Sequence, residues 1–293
     1  MTTSESAAEP GDLEVMLRGL WVHPIKSCAG IALQRSLLIE TGLEFDRAWM
    51  VVDASGRFLS QRELPRMALV QPAFRHSELV LRAPGMLALH LALDRAEAPV
   101  RVHVWDDEVG AFDMGALAAR WFSDFLGREV RLVRFDPEQR RLSDKRWTGD
   151  LEAEAAFADG FALLVAGSAS LAEVNRRLHD HGVAPVGMER FRPNLALDGL
   201  AAHDEDHLDQ IVFDTADGPV RIRLVKPCGR GSMPDVDPAT GAQGGAVGEV
   251  LAAYRADPRL DGRPTFGMNA VVVEGVERML EVGMKGRASY RFA

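Results

Sequence analysis

Residues 48–60 read AWMVVDASGRFLS. Two runs of β-forming residues, 48–53 and 57–60, flank a short Ala-Ser-Gly turn, which predicts a hairpin. The same pattern recurs on both sides. Residues 13–25 are apolar, rich in β-formers and stop at HPIKSCAG. Further short apolar runs follow at 68–70, 79–81 and 100–104. Short strands separated by turn signals predict a barrel or a sandwich. The period then changes. Leu117, Trp121, Phe122 and Phe125 fall on one helical face, with Gly127 as the C-cap. REVRLVRF returns to strand, and the polar stretch 136–150, DPEQRRLSDKRWTGD, has no period and reads as a connection.

The second half starts with a buried strand at 161–165. Ser170 and Glu173 have the spacing of a capping box. The helix they would start turns Leu171, Val174 and Leu178 inward and ends near Gly182. NLALDG, IVFDT and VRIRLV alternate as strands, residues 249–254 read as a short helix, and NAVVVEG and ASYRF as final strands. The fold class is therefore α+β, mostly β, with few helices. Residues 1–12 are polar and acidic and read as a disordered tail.

The 293-residue chain is 47% hydrophobic and 26% charged, the make-up of a globular protein. Its formal net charge of -9 argues against a nucleic-acid partner, which needs a basic surface, and against docking on anionic lipid. No apolar run reaches the roughly 18 residues of a membrane span, and the N-terminus lacks the basic start and apolar core of a signal peptide. Two cysteines point to a reducing, cytoplasmic setting. They are too few for an iron–sulfur cluster with four cysteine ligands, so any electrons must come from a separate protein.

Several stretches carry polar chemistry. In HPIKSCAG, Lys26 offers a point charge and Ser27 a hydroxyl and an N–H, which together suit an anion; a turn with a surface lysine fits the same residues. Arg47 sits between Phe45 and Trp49, where it either forks onto an anion or pairs with Asp46 or Glu44. Arg62 and Glu63 have the spacing to pair across a turn. In ERFRPNLALDG, Pro193 keeps Arg192 out of helix, so Arg192 and Asn194 stand on a stiff strand edge. VKPCGRGSMPDVDPATG, residues 225–241, holds Cys228 beside Arg230, with Gly229 and Gly231 allowing close backbone approach. A thiolate near Arg and Lys suits a soft metal, whereas a lone cysteine is more often inert. The histidine-bearing HDH and HDEDH read as a helix end and a solvated loop.

In their order, LWVHPIKSCAG, FDRAWMVVD, FLSQRELPRMALV, DGFALLVAGSASLAEVNRRL, FRPNLALDG, VKPCGRGSMPDVDPATG and FGMNAVVV resemble the MOSC family, and more closely its two-part, amidoxime-reducing members. The resemblance implies an N-terminal β-barrel module at 13–135, the connection at 136–150, and a MOSC-type β-barrel domain at 151–293. It implies the molybdenum cofactor, a pterin dithiolene with a phosphate tail, and reduction of N-hydroxylated small molecules. Carried over by motif, Lys26, Ser27 and Arg47 contact the phosphate side. Arg192 and Asn194 line the same site. Asp159, Gly160 and Phe161 approach the pterin, and Asn269 falls near it. Cys228 and Arg230 belong to the loop beside the metal, with Asp237 supporting it. The family's C-x-R-C ends in the metal-ligating cysteine, and here that position is Gly231. Three readings stay open: a bound and reactive cofactor with another ligand in that place, a protein that binds or carries the cofactor without reducing anything, and a site for a different anion.

Overall fold

The structure, a computed structural model, describes residues 13–291. The tail expected at 1–12 lies outside these residues, as does Phe292 of the last expected strand. The hairpin at 48–60 forms: Asp53 donates its N–H to Arg57 O at 2.9 Å and Leu59 to Val51 O at 2.9 Å.

The largest element is a closed barrel of seven strands. Its order is Leu163–Gly167, Leu195–Asp198, Leu13–Val22, Lys285–Tyr290, Leu208–Thr215, Gly218–Gly229 and Arg263–Glu274. It closes through the antiparallel pair Leu163↔Ala270, which removes the free edges that a sheet would otherwise expose. Its one parallel step joins Leu163–Gly167 to Leu195–Asp198, and the helix Ser168–Asp180 supplies the crossover that a parallel step needs.

The strand Leu13–Val22 pairs with Leu195–Asp198 and with Lys285–Tyr290, so the barrel uses both ends of the chain. Leu17, Leu38 and Leu43 share one core with Leu163, Leu195 and Met268. One core thus takes residues from both sides of the connection read at 136–150. A strand's own pattern states that it needs a partner and not which partner it finds. The connection also contains a one-turn helix, Lys145–Thr148.

Between these barrel segments lies a second sheet of Trp49–Val52, Arg131–Phe135, Asp107–Asp113 and Pro99–Val104. A three-stranded sheet, Gln71–Arg75, Glu78–Arg82 and Leu89–Ala92, stands beside it. The helix Ala116–Leu126 packs Ala118, Trp121, Phe122 and Phe125 inward and ends at Gly127, whose φ of 71° is the left-handed cap. Leu117 corrects the sequence reading. It lies about 100° around the helix from the centre of that stripe and is 70% exposed.

The expected capping box is also absent. The helix Ser168–Asp180 starts at Gly167, ahead of Ser170, and has no side-chain cap of its own. Glu173 instead binds Arg176 and Arg177. The cap comes from a distant loop: buried Glu205 accepts from Gly167 N–H at 3.0 Å and from Ser170 Oγ at 2.7 Å. Among the described residues no helix is long and apolar enough to cross a membrane.

Candidate functional site

The first barrel strand ends at Val22, and the chain turns through His23–Gly30. Lys26 is held there by its N–H to Trp49 O at 2.8 Å. Its amine is almost wholly buried, donates to Phe157 O at 2.8 Å and pairs with Asp159. Burial lowers the Lys26 pKa, and the Asp159 charge offsets part of that fall. The Asp159 side chain is 59% exposed on the outer side. Burial of its inner side would raise its pKa, but the Lys26 and Arg62 charges prevail and hold it low.

Arg47 is tied down from three directions. Its guanidinium pairs with buried Asp46 and donates to Asn194 Oδ1 at 3.1 Å and to Arg192 O at 3.0 Å. Burial alone would raise the Asp46 carboxyl; Arg47 and His23 together bring it down to about 2. Asn194 also accepts from Leu164 N–H at 3.0 Å and donates to Trp21 O at 3.1 Å, so it joins three barrel strands. Arg192 donates to Cys28 O at 2.6 Å. Burial and the neighbouring Arg47 charge lower the Arg192 pKa to about 9.

On the far wall, Arg230 donates to Cys228 Sγ at 3.1 Å and to Phe191 O at 2.8 Å. Asn269 donates to Lys226 O at 3.4 Å and to Pro227 O at 3.3 Å, pinning the start of the 228–231 loop. Ser27, Arg47 and Arg192 all adopt left-handed backbone, with φ of 68°, 47° and 56°. Such residues cost about 1–3 kcal/mol each and gather at functional sites.

Lys26, Ser27, Arg47, Asp159 and Phe161 line one open cavity together with Arg192, Asn194, Cys228, Arg230, Gly231 and Asn269. Arg62 completes its cationic wall. With its mouth included, the space measures ≈ 790 Å³. Residues 14–129 of the chain match the MOSC N-terminal beta barrel domain, and residues 152–285 match the MOSC domain.

The chain belongs to the MOSC family. This MOSC chain is 32% identical over 266 residues to mitochondrial amidoxime reducing component 2 of Rattus norvegicus, covering 85% of this chain and 76% of that protein. It is 31% identical over 232 residues to the Homo sapiens protein of the same name, covering 76% and 67%. It is 30% identical over 274 residues to molybdenum cofactor sulfurase of Bos taurus, covering 87% of this chain but only 31% of the sulfurase.

Two of the sequence-derived site residues of this MOSC chain stand off the cavity wall. Gly160 lies between two lining residues without lining the cavity itself. Asp237 sits behind the loop. It accepts from Ala239 N–H at 2.8 Å and pairs with Arg190 at 3.4 Å, so it shapes the turn and does not face the cavity. Arg62 does not pair with Glu63: it reaches Asp159 at 3.9 Å and lies over the Trp105 ring at 5.3 Å. Among the described residues no group of three or more His, Cys, Asp and Glu side chains is placed to hold a metal.

Arg141 went unmarked in the sequence reading. Its buried guanidinium donates to Ala156 O at 3.0 Å, Ala158 O at 2.6 Å, Asp159 O at 3.1 Å and Asp107 Oδ2 at 2.7 Å. It fixes the segment that carries Asp159. Within an aperiodic polar stretch, nothing marks one arginine as buried.

Proposed function

We propose that this cavity binds the molybdenum cofactor, and that the chain uses it to reduce N-hydroxylated or other N- or S-oxygenated small molecules with electrons from a separate protein. One observation carries the reading. Five cationic side chains, Lys26, Arg47, Arg62, Arg192 and Arg230, converge on a single cavity whose only lining carboxylate among the described residues is Asp159. Even with buried Asp46 counted behind the wall, five positive charges face two negative ones. Such an excess suits a phosphate-bearing ligand. A reducing, cytoplasmic setting belongs to the same reading, supported by two free cysteines.

The residues fit the anionic and hydrogen-bonding parts of the cofactor. Lys26 and Arg62 would take a phosphate, and the outer side of Asp159 would accept from a pterin amino group. Arg47 and Arg192 raise the local positive potential, and Asn194 holds the strands that carry it. When bound, the cofactor supplies oxygen-atom transfer at its metal. The residues do not supply a thiolate at 231. A Cβ built on Gly231 meets only Arg62 Nε, at 3.7 Å, so the place for a ligating side chain is open. Cys228 is the thiol that lines the cavity, and Arg230 would balance its charge as a thiolate.

Gly231 favours a second reading, in which the chain binds or carries the cofactor without reducing anything. Protein from a host that makes the cofactor, assayed for molybdenum, pterin and amidoxime reduction beside Gly231→Cys, separates the two. Metal, pterin and turnover in the unaltered chain support reduction. Metal and pterin without turnover, restored in the variant, support binding alone. Absence of both from both proteins overturns the cofactor reading.

A further inference from the structure

Trp105 occupies a place that its side chain does not suit. The strands Pro99–Val104 and Asp107–Asp113 are paired through Val104↔Asp107, so Trp105 and Asp106 form a two-residue turn. Such turns call for positive φ and prefer Asn, Asp or Gly. Trp105 holds φ at 56°, an outlier for a bulky residue. Burial does not compensate. Trp105 is 48% exposed, while the other four tryptophans are buried or half-buried.

Its surroundings point to the cavity mouth. The indole N–H donates to Asp159 Oδ1 at 3.3 Å. The Arg62 guanidinium lies 5.3 Å from the ring, and Phe58 meets it edge-on at 4.9 Å. Lys26 sits 5.0 Å from the Phe58 ring. Lys26, Arg62 and Asp159 all line the cavity. The polar edge of Trp105 is satisfied, one contact of the ring is with Phe58 and another with Arg62, and about half of the residue stays exposed. A strained residue held in this way is accounted for by a function and not by stability.

We propose that Trp105 is a specificity-determining platform, which favours ligands whose polar or anionic head enters the cavity and whose aromatic ring remains at the mouth. The proposal rests on the cationic cavity being the ligand site. It predicts preference for aryl over alkyl compounds of like charge, because an offset or edge-on ring contact adds about five- to tenfold in affinity.

Phenyl phosphate and ethyl phosphate, titrated calorimetrically into the full chain from a host that does not make the cofactor, test this. The wild type binds phenyl phosphate about five- to tenfold more tightly. Trp105→Gly brings the phenyl-to-ethyl affinity ratio to about one, whatever it does to ethyl phosphate itself, and does not lower the thermal midpoint, since glycine relieves the turn. Trp105→Phe, which keeps a ring but no N–H, retains part of the preference. Equal binding of the two anions by the wild type overturns the proposal. So does a Trp105→Gly chain that keeps the preference or weakens both anions alike. If the wild type binds neither anion, the cationic-cavity reading falls first and this proposal with it.

Discussion

Replacing Arg141 with Met keeps most of the apolar stem and removes the guanidinium. Four acceptors then lose a donor: the carbonyls of Ala156, Ala158 and Asp159, and the Asp107 carboxylate. Asp107 is 54% exposed, so water replaces much of what it loses, and its ion pair contributes less than about 1 kcal/mol. Ala156 and Ala158 are buried, at 4% and 8% exposure. A buried acceptor left without a partner costs about 1–3 kcal/mol. Two of them give about 4 kcal/mol. With a urea slope of about 3 kcal/mol/M, the unfolding midpoint falls by more than about 1 M. Circular dichroism against urea measures this directly. A loss of stability below about 1 kcal/mol would refute the clasp.

Other outcomes follow from the same geometry. Burial raises the Cys28 pKa to about 12, while Cys228 is half-buried at the cavity; a thiol reagent at neutral pH should titrate one cysteine in the native chain and two in denaturant, and two fast thiols in the native chain would refute the burial. Glu205 has a pKa raised chiefly by burial. Below about pH 4 both folded and unfolded chains hold its proton; as pH rises the unfolded chain ionises first, so wild-type stability falls relative to Glu205→Gln until the folded carboxyl also ionises. A wild-type stability that rises with pH relative to Glu205→Gln contradicts this. Gly231→Cys meets only Arg62 Nε at 3.7 Å and its φ is not left-handed, so its stability should match the wild type or exceed it by up to about 1 kcal/mol. A fall of more than about 1 kcal/mol in thermal unfolding would show that the space is not open.

Sequence alone determined what is local or ordered along the chain. The β-forming run that begins at 13, the alternation of IVFDT and VRIRLV and the turn at 54–56 specify strands and a hairpin, because side-chain period and turn chemistry act over a few residues. The motifs in their order resemble the MOSC family, and that resemblance implied eleven residues that line the cavity. Only the tertiary structure decided which strands become neighbours. Leu13–Val22 pairs across the barrel with residues some 180 and 270 positions later, and the hydrogen-bonding edge of a strand is the same for any partner. It also decided which polar groups are buried. Arg141 and Glu205 look like solvated charges in the sequence, yet one clasps the Asp159 segment and the other caps a helix. Their roles depend on carbonyls and N–H groups brought from elsewhere, which no local pattern encodes. The left-handed backbone of Ser27, Arg47, Trp105 and Arg192 belongs to the same class. Residue type disfavours it, and the folded surroundings impose it.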